Sequence, residues 1–209
     1  MSKNELALKN RFRGYFPVII DVETGGLEPR TDALLELAAI SVQMDESGIL
    51  RPHRHYHAHV KPFEKARLDP KALEFNGIDP HHPFRLAIDE KEVLQGLFDF
   101  VRAERKETDC KRAVLVGHNS WFDLAFMNEA IKRTKIKRNP FHAFTSFDTA
   151  TMGALCYGQT VLSVACERAD IPFDAKEAHS ALYDARKTAD LFCEIINRWK
   201  HIGGWPLDR

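Results

Sequence analysis

Asp21 and Glu23 flank Val22 at the end of the apolar run YFPVIID, Tyr15–Asp21. Residues two apart on a strand project from one face, so both carboxylates point the same way. Side by side they repel, and such a pair is stable mainly with a cation between its members. Asp123, in VGHNSWFD, falls in the first turn of a helix that follows a strand. His179 and Asp184, in AHSALYDA, are five positions apart. That interval is about 140° around a helix, so the two share no face of one helix. They converge only when His179 lies in the loop ahead of the helix, Ser180 caps it, and Asp184 sits one turn inside. Acids that hold a cation, beside a histidine whose reference pKa is near neutrality, are the parts of metal-assisted hydrolysis with a general base. Each piece alone has a plainer reading. The DxE pair is then a solvated strand end, Asp123 and Asp184 are first-turn acids, and His179 is an exposed loop residue.

Hydrophobic spacing gives the elements that must position these groups. Tyr15–Asp21 reads as a buried strand that tolerates Pro17 near its start, followed by a turn at Gly25–Gly26. Leu35–Met44 and His53–Val60 read as further strands, making a meander of three. Asp69 and Pro70 form an N-cap and first helical residue, for a helix ending near Asn76–Gly77. Val93, Leu94, Leu97, Phe98 and Val101 fall at helical spacing within Ile88–Glu104. Beyond them come a strand at Ala113–Val116, a helix at Trp121–Arg133 and a short strand at Phe144–Asp148. Helices are then expected at Thr149–Tyr157, Val161–Ala169 and Ser180–Trp199. This order predicts an α/β fold, a mixed central sheet flanked by helices in a single domain over residues 1–209.

With 209 residues and 44% hydrophobic content, the chain has material for a proper core and is neither disordered nor collagen-like. Thirty basic and thirty acidic side chains give zero net charge, so any positive surface must be local. Cys110, Cys156, Cys166 and Cys193 form no CxxC pair and read as buried reduced thiols. The charged start, MSKNELALKNRFRG, is no secretory signal. No apolar run nears the roughly 20 residues of a membrane span, which makes a soluble, cytoplasmic protein the expectation. His53, His55, His57 and His59 alternate along one strand and read as an exposed face, with no acid or cysteine to complete a metal site. Gly25–Gly26 lacks dinucleotide-loop spacing.

Taken in order, DVE at Asp21–Glu23, NSWFD at Asn119–Asp123 and HSALYD at His179–Asp184 resemble the DEDD exonuclease family, in its histidine branch. The tyrosine branch needs a tyrosine four residues before the last acid, and Ser180 stands there. RFRGYFPVIIDVET, TDALLELAAI, FNGID, RNPFHAF, FDTA, YGQTVLS and the GGWPL end narrow the resemblance to members that trim stable RNA, from Arg11 to Leu207. It implies a ribonuclease-H-like fold and a homodimeric 3′→5′ exoribonuclease. Its substrates would be single-stranded 3′ ends of tRNA and other stable RNA precursors, with single-stranded DNA ends as a further substrate.

Two divalent ions about 4 Å apart suit attack on an anionic phosphodiester, and oxygen ligands select Mg²⁺, with Mn²⁺ as substitute. In that reading Asp21 bridges two Mg²⁺ per subunit, Glu23 and Asp184 complete the set, and Asp123 holds the second ion. His179 is the general base, and a further metal ligand when substrate is absent. By the resemblance Phe75, Phe122 and Phe144 stack terminal bases, and Leu27 stands where the family usually has an aromatic. Among 14 phenylalanines, core packing is the ordinary role for any one. Lys132, Arg133, Lys135, Lys137 and Arg138 form a basic run, joined by Arg11, Arg13, Lys111 and Arg112. The plain reading of the run is a solvated helix end. The resemblance implies instead that such basic residues, Arg11, Arg13, Arg112, Lys137 and Arg138 among them, bind the RNA backbone by reaching across a dimer to the partner's active site. The competing readings are a DNA proofreading subunit, which shares every catalytic residue, and a catalytically idle RNA-binding or dimerisation module. Four acids kept together with His179 argue against idleness.

Overall fold

The computed structural model describes residues 6–206; residues 1–5 of the charged start and Leu207 lie outside them. Twelve elements follow one another: α1 (Leu8–Arg11), β1 (Tyr15–Thr24), β2 (Leu34–Met44), β3 (Leu50–His59), α2 (Pro70–Asn76), α3 (Glu90–Lys106), β4 (Arg112–Gly117), α4 (Trp121–Thr134), β5 (Phe141–Asp148), α5 (Thr149–Tyr157), α6 (Leu162–Arg168) and α7 (Ala181–His201). The sheet order is β3-β2-β1-β4-β5. Antiparallel pairing joins β1 to β2 and β2 to β3, whereas β4 and β5 run parallel to β1. The mixed sheet flanked by helices is therefore the observed fold. No helix among the described residues is long and apolar enough to cross a membrane.

β1 is the central strand, and its apolar run explains why. Phe16, Val18, Ile19 and Ile20 are fully buried, each worth about 1.5–3 kcal/mol of burial. Pro17 precedes the first β1–β2 pair, Val18 with Ser41, so its missing N–H leaves that ladder whole. The apolar stripe of α7, Ala185, Ala189, Phe192 and Ile196, is buried, and α7 packs across β1, β2 and β3. Its first turn thereby comes to the carboxyl end of β1.

Four details differ from the sequence reading. β3 starts at Leu50, since a polar edge strand hides its alternation and an edge admits Pro52. A bulge opposite Ile40–Val42 separates His53 from the face shared by His55, His57 and His59. β5 starts at Phe141, whose N–H donates to Asn139 Oδ1 at 2.9 Å. Of the four free cysteines, Cys156 is exposed on α5. The helix at Pro70 is as expected: Asp69 accepts from the Lys71 N–H at 2.9 Å, and Gly77 closes it in the left-handed region at φ 66°.

Candidate active site

A cleft of about 640 Å³ opens at the carboxyl end of β1, lined among others by Asp21, Glu23, Leu27, Phe75, Asn76, Phe122, His179 and Asp184. Asp21 and Glu23 reach it from one face of β1, as their spacing requires. Asp184 comes from the first turn of α7. One oxygen from each of these three carboxylates lies within 4.8 Å of the others. Asp123 is buried behind this trio, and its Oδ1 accepts from the Val22 N–H, between Asp21 and Glu23, at 3.1 Å. Gly117 makes that approach possible, because a Cβ there would stand 2.9 Å from Asp123 Oδ2.

His179 precedes α7 at φ 68°, a left-handed conformation unfavourable for a histidine and common where function fixes the backbone. The turn aims its N–H at Asp184 Oδ2, 3.0 Å away. Ser180 occupies the cap position, yet its side chain makes no capping bond; Asp184 instead reaches back to the loop. The other oxygen of Asp184, Oδ1, is buried with no partner. The imidazole of His179 is exposed and rests on Phe75, ring centroids 4.2 Å apart.

Burial and repulsion act in the same direction on these acids. Burial, then the charges of Asp123, Glu23 and Asp184, hold the Asp21 carboxyl well above the usual carboxylate range. Glu23 is pushed up to about 8, first by burial and next by Glu36 and Asp184, against a lowering bond from Asn76. Burial also raises Asp123, opposed by its N–H partners, and raises Asp184, opposed by His179. Closely set oxygens, an unpartnered buried acceptor and mutual repulsion fit a hard divalent cation held by Asp21, Glu23 and Asp184.

Neighbouring loops shape the rim. A Cβ on Gly26 would come within 2.0 Å of Asp32 Oδ2, so only glycine lets the turn close over that buried acid. The turn leaves Leu27 82% exposed at the cleft, beside Phe75 on α2 at 68%. Phe122 is half-buried against Phe126. Phe144 is 81% exposed on β5 and is not among the lining residues, so this chain's cleft does not include it.

Sequence reasoning overlooked three supports. Asn76 donates to the Thr24 carbonyl at 3.0 Å and bonds Glu23, fixing α2 to the strand end. Asp148 accepts from the N–H groups of Ala150, Thr151 and Ser120, clamping the loop before α4 to the start of α5. Its place directly before a helix was the available signal. Glu36 on β2 stands opposite Glu23 and adds charge to the site.

The basic run is less free than its composition promised. Arg133 forms a largely buried pair with Glu90 at 2.6 Å, donates to the Pro29 carbonyl and lies over Phe63. Lys132 pairs with Glu129 at 3.5 Å. Lys137 and Arg138 are exposed, with the Arg138 carbonyl held by Arg102. Arg11 stacks on Trp205 at 4.4 Å, and burial lowers its pKa to about 10. Arg13 is exposed, and Arg112 donates to the Phe141 carbonyl at 3.1 Å. Arg112 pairs with Tyr15, so Arg11, Arg13 and Arg112 sit at the amino ends of β1 and β4. Six strand residues, about 20 Å, separate that end from Asp21.

The family RNase_T, described as Exonuclease, matches residues 18–192. Ribonuclease T of Vibrio parahaemolyticus is 57% identical over 203 residues, 97% of this chain and 95% of its own length. Ribonuclease T of Haemophilus influenzae is 56% identical over 199 residues, covering 95% and 87% of the two chains. Among solved structures, Escherichia coli exonuclease I with a dT13 oligonucleotide superposes with a TM-score of 0.70 at 17% identity, over 91% of this chain and 43% of its own. A full-length 3′-exonuclease gives 0.66 at 19% identity, over 88% and 83%. The fold, the cleft and the near full-length similarity agree: this chain belongs to the ribonuclease T family of exonucleases.

Proposed function

We propose that this protein is a metal-dependent 3′→5′ exoribonuclease that trims single-stranded 3′ ends of tRNA and other stable RNA precursors. Single-stranded DNA ends would be a further substrate. The observation that carries the reading is the convergence of Asp21, Glu23 and Asp184 within 4.8 Å, beside an exposed His179.

Asp21 would be shared by two Mg²⁺, replaceable by Mn²⁺, with Glu23 and Asp184 as outer ligands and Asp123 serving the second ion. When bound, these ions neutralise the scissile phosphate and the leaving oxygen. His179 would take the proton of the attacking water, with Asp184 orienting it through the backbone bond. Phe75 and Phe122 would stack terminal bases, worth about 1–3 kcal/mol each, and Leu27 would cover the neighbouring base with aliphatic surface alone. In this arrangement an incoming base and the His179 ring compete for Phe75.

Arg11, Arg13 and Arg112 sit at the amino ends of β1 and β4, about 20 Å down the sheet from their own chain's acids, and Lys137 and Arg138 are exposed ahead of β5. They would serve RNA held in the cleft of a second copy, which makes the working form a cytoplasmic homodimer of single exonuclease domains. Phe144 would complete its stack in the same way or through movement of β5. The test uses the purified chain, Mg²⁺ and labelled tRNA with a 3′ overhang, an equivalent DNA and a blunt duplex. Stepwise shortening of the RNA overhang, stopped by EDTA, is the expected result. Shortening of DNA alone would favour the proofreading reading, and no shortening would leave an idle module.

A further inference from the structure

Beside the acid cluster, the sheet assembles a second group of ligand atoms with different chemistry. Glu36 stands opposite His59 in the β2–β3 ladder, and Ala38 stands opposite His57. Residues paired or two apart share a face, so Glu36, His57 and His59 converge with only the small Ala38 between rows. One carboxylate oxygen and one nitrogen from each ring lie within 4.8 Å of one another. Glu36 is buried, and its Oε1 is 2.6 Å from His57 Nε2. The two rings meet edge to face at 5.0 Å. Nδ1 of His59 is buried without a hydrogen-bond partner. The acid absent from the sequence reading of this histidine strand is thus supplied by the adjacent strand.

We infer that Glu36, His57 and His59 form a second metal site, one that takes Zn²⁺. Two imidazoles and one carboxylate, with a position left for water, are a donor set that Zn²⁺ accepts, whereas Mg²⁺ prefers oxygens alone. Ligand bonds of about 2.0–2.1 Å in a tetrahedron put donor atoms about 3.3 Å apart. The hydrogen-bonded Glu36 and His57 atoms therefore part by about 0.7 Å to admit the ion, a shift within side-chain reach. Arg85 is held to the carbonyls of Leu35 and Val60, and its charge still acts on Glu36 and His59, so a bound ion would compete with that guanidinium for Glu36. Glu36 also faces Glu23 across the β1–β2 pair. An ion on Glu36 would screen its repulsion of the acid cluster and tie the β3 edge to β2.

The test is Co²⁺ and Zn²⁺ binding by the full chain without added histidines, in excess Mg²⁺. Co²⁺ held by two imidazoles in tetrahedral geometry absorbs visible light strongly, and Co²⁺ among carboxylates and water does so weakly. One equivalent of strongly absorbing Co²⁺, displaced by Zn²⁺, is expected of the unaltered chain. Asp21→Asn with Asp184→Asn should keep that equivalent, and His57→Gln with His59→Gln should lose it. His59→Gln alone, milder for the fold, should weaken Zn²⁺ binding about tenfold or more. No strong band in the unaltered chain would reduce the group to a Glu36–His57 ion pair and overturn the site. So would a band lost with the Asp21 and Asp184 changes, or retained by a folded double-histidine variant.

Discussion

At its carboxyl end β1 presents Asp21 and Glu23 to a cleft where burial and neighbouring acids both push their carboxyls above the usual range. At its amino end the same sheet presents Arg11, Arg13 and Arg112, each resting on a ring, a hydroxyl or a carbonyl. A chain of zero net charge is in this way strongly polarised along one strand. The acids stand close together, with Asp184 Oδ1 buried and unpartnered, whereas the arginines rest on neutral groups. Arg133 shows that proximity in sequence does not make a phosphate site, because Glu90 already neutralises it.

The sharpest way to break this comparison is Asp21→Asn. Turnover should disappear, a larger loss than the about 10–100-fold typical of a residue that merely supports a metal ligand. Melting in EDTA should not worsen, since a repelling carboxylate is gone. Near-normal turnover would end the metal assignment. His179→Ala should lower kcat about 10²–10⁴-fold while KM changes little. An unchanged kcat in the variant would make His179 a structural loop residue.

Glu23 sharpens the contrast through stability. Its folded-state carboxyl titrates near 8 rather than 4.5, so the folded metal-free chain keeps a proton that the unfolded chain releases. The stability linked to that proton is present below pH 4.5 and lost as pH rises to about 8. Glu23→Gln should therefore gain up to about 4 kcal/mol over the unaltered chain at pH 8 in EDTA, and less than about 1 kcal/mol at pH 5. Denaturant melts at both pH values read this, and Mg²⁺ should shrink the difference.

The exposed pair Lys137 and Arg138 ahead of β5 should yield a smaller effect, in binding. Lys137→Ala with Arg138→Ala should raise KM about tenfold and reduce the salt slope by about one per lost phosphate contact, sparing kcat. A mixed dimer of that variant with Asp21→Asn distinguishes sharing from independence. One site then has intact acids and its partner's intact basic residues, so partial activity should survive at low KM. Smallest of all, Leu27→Phe should tighten binding of short oligonucleotides by about 1 kcal/mol by restoring a stacking face. No change on titration would mean the rim leucine already covers the base as well.

Much of this was legible in the residues. The apolar run into Asp21, the cap at Asp69 and Pro70 and the helix at Thr149–Tyr157 are local patterns, and local spacing alone dictates them. The DxE face and the loop position of His179 also follow from strand and helix periods. What spacing could not reach were pairings between distant segments. Asp148 clamping the loop before α4, Asn76 holding Glu23, Arg133 consumed by Glu90 and Glu36 meeting His57 each join residues far apart in the chain.

The amino-acid sequence by itself determined most elements, the acids and which way side chains turn on an unbroken strand or helix, because backbone sterics and hydrophobic period act over a few residues. Tertiary structure alone decided which charges meet. Strand register places Glu36 beside both Glu23 and His57, and the path of α7 brings Asp184 to Asp21. Both depend on how whole elements pack, and electrostatic character is a property of neighbours in space.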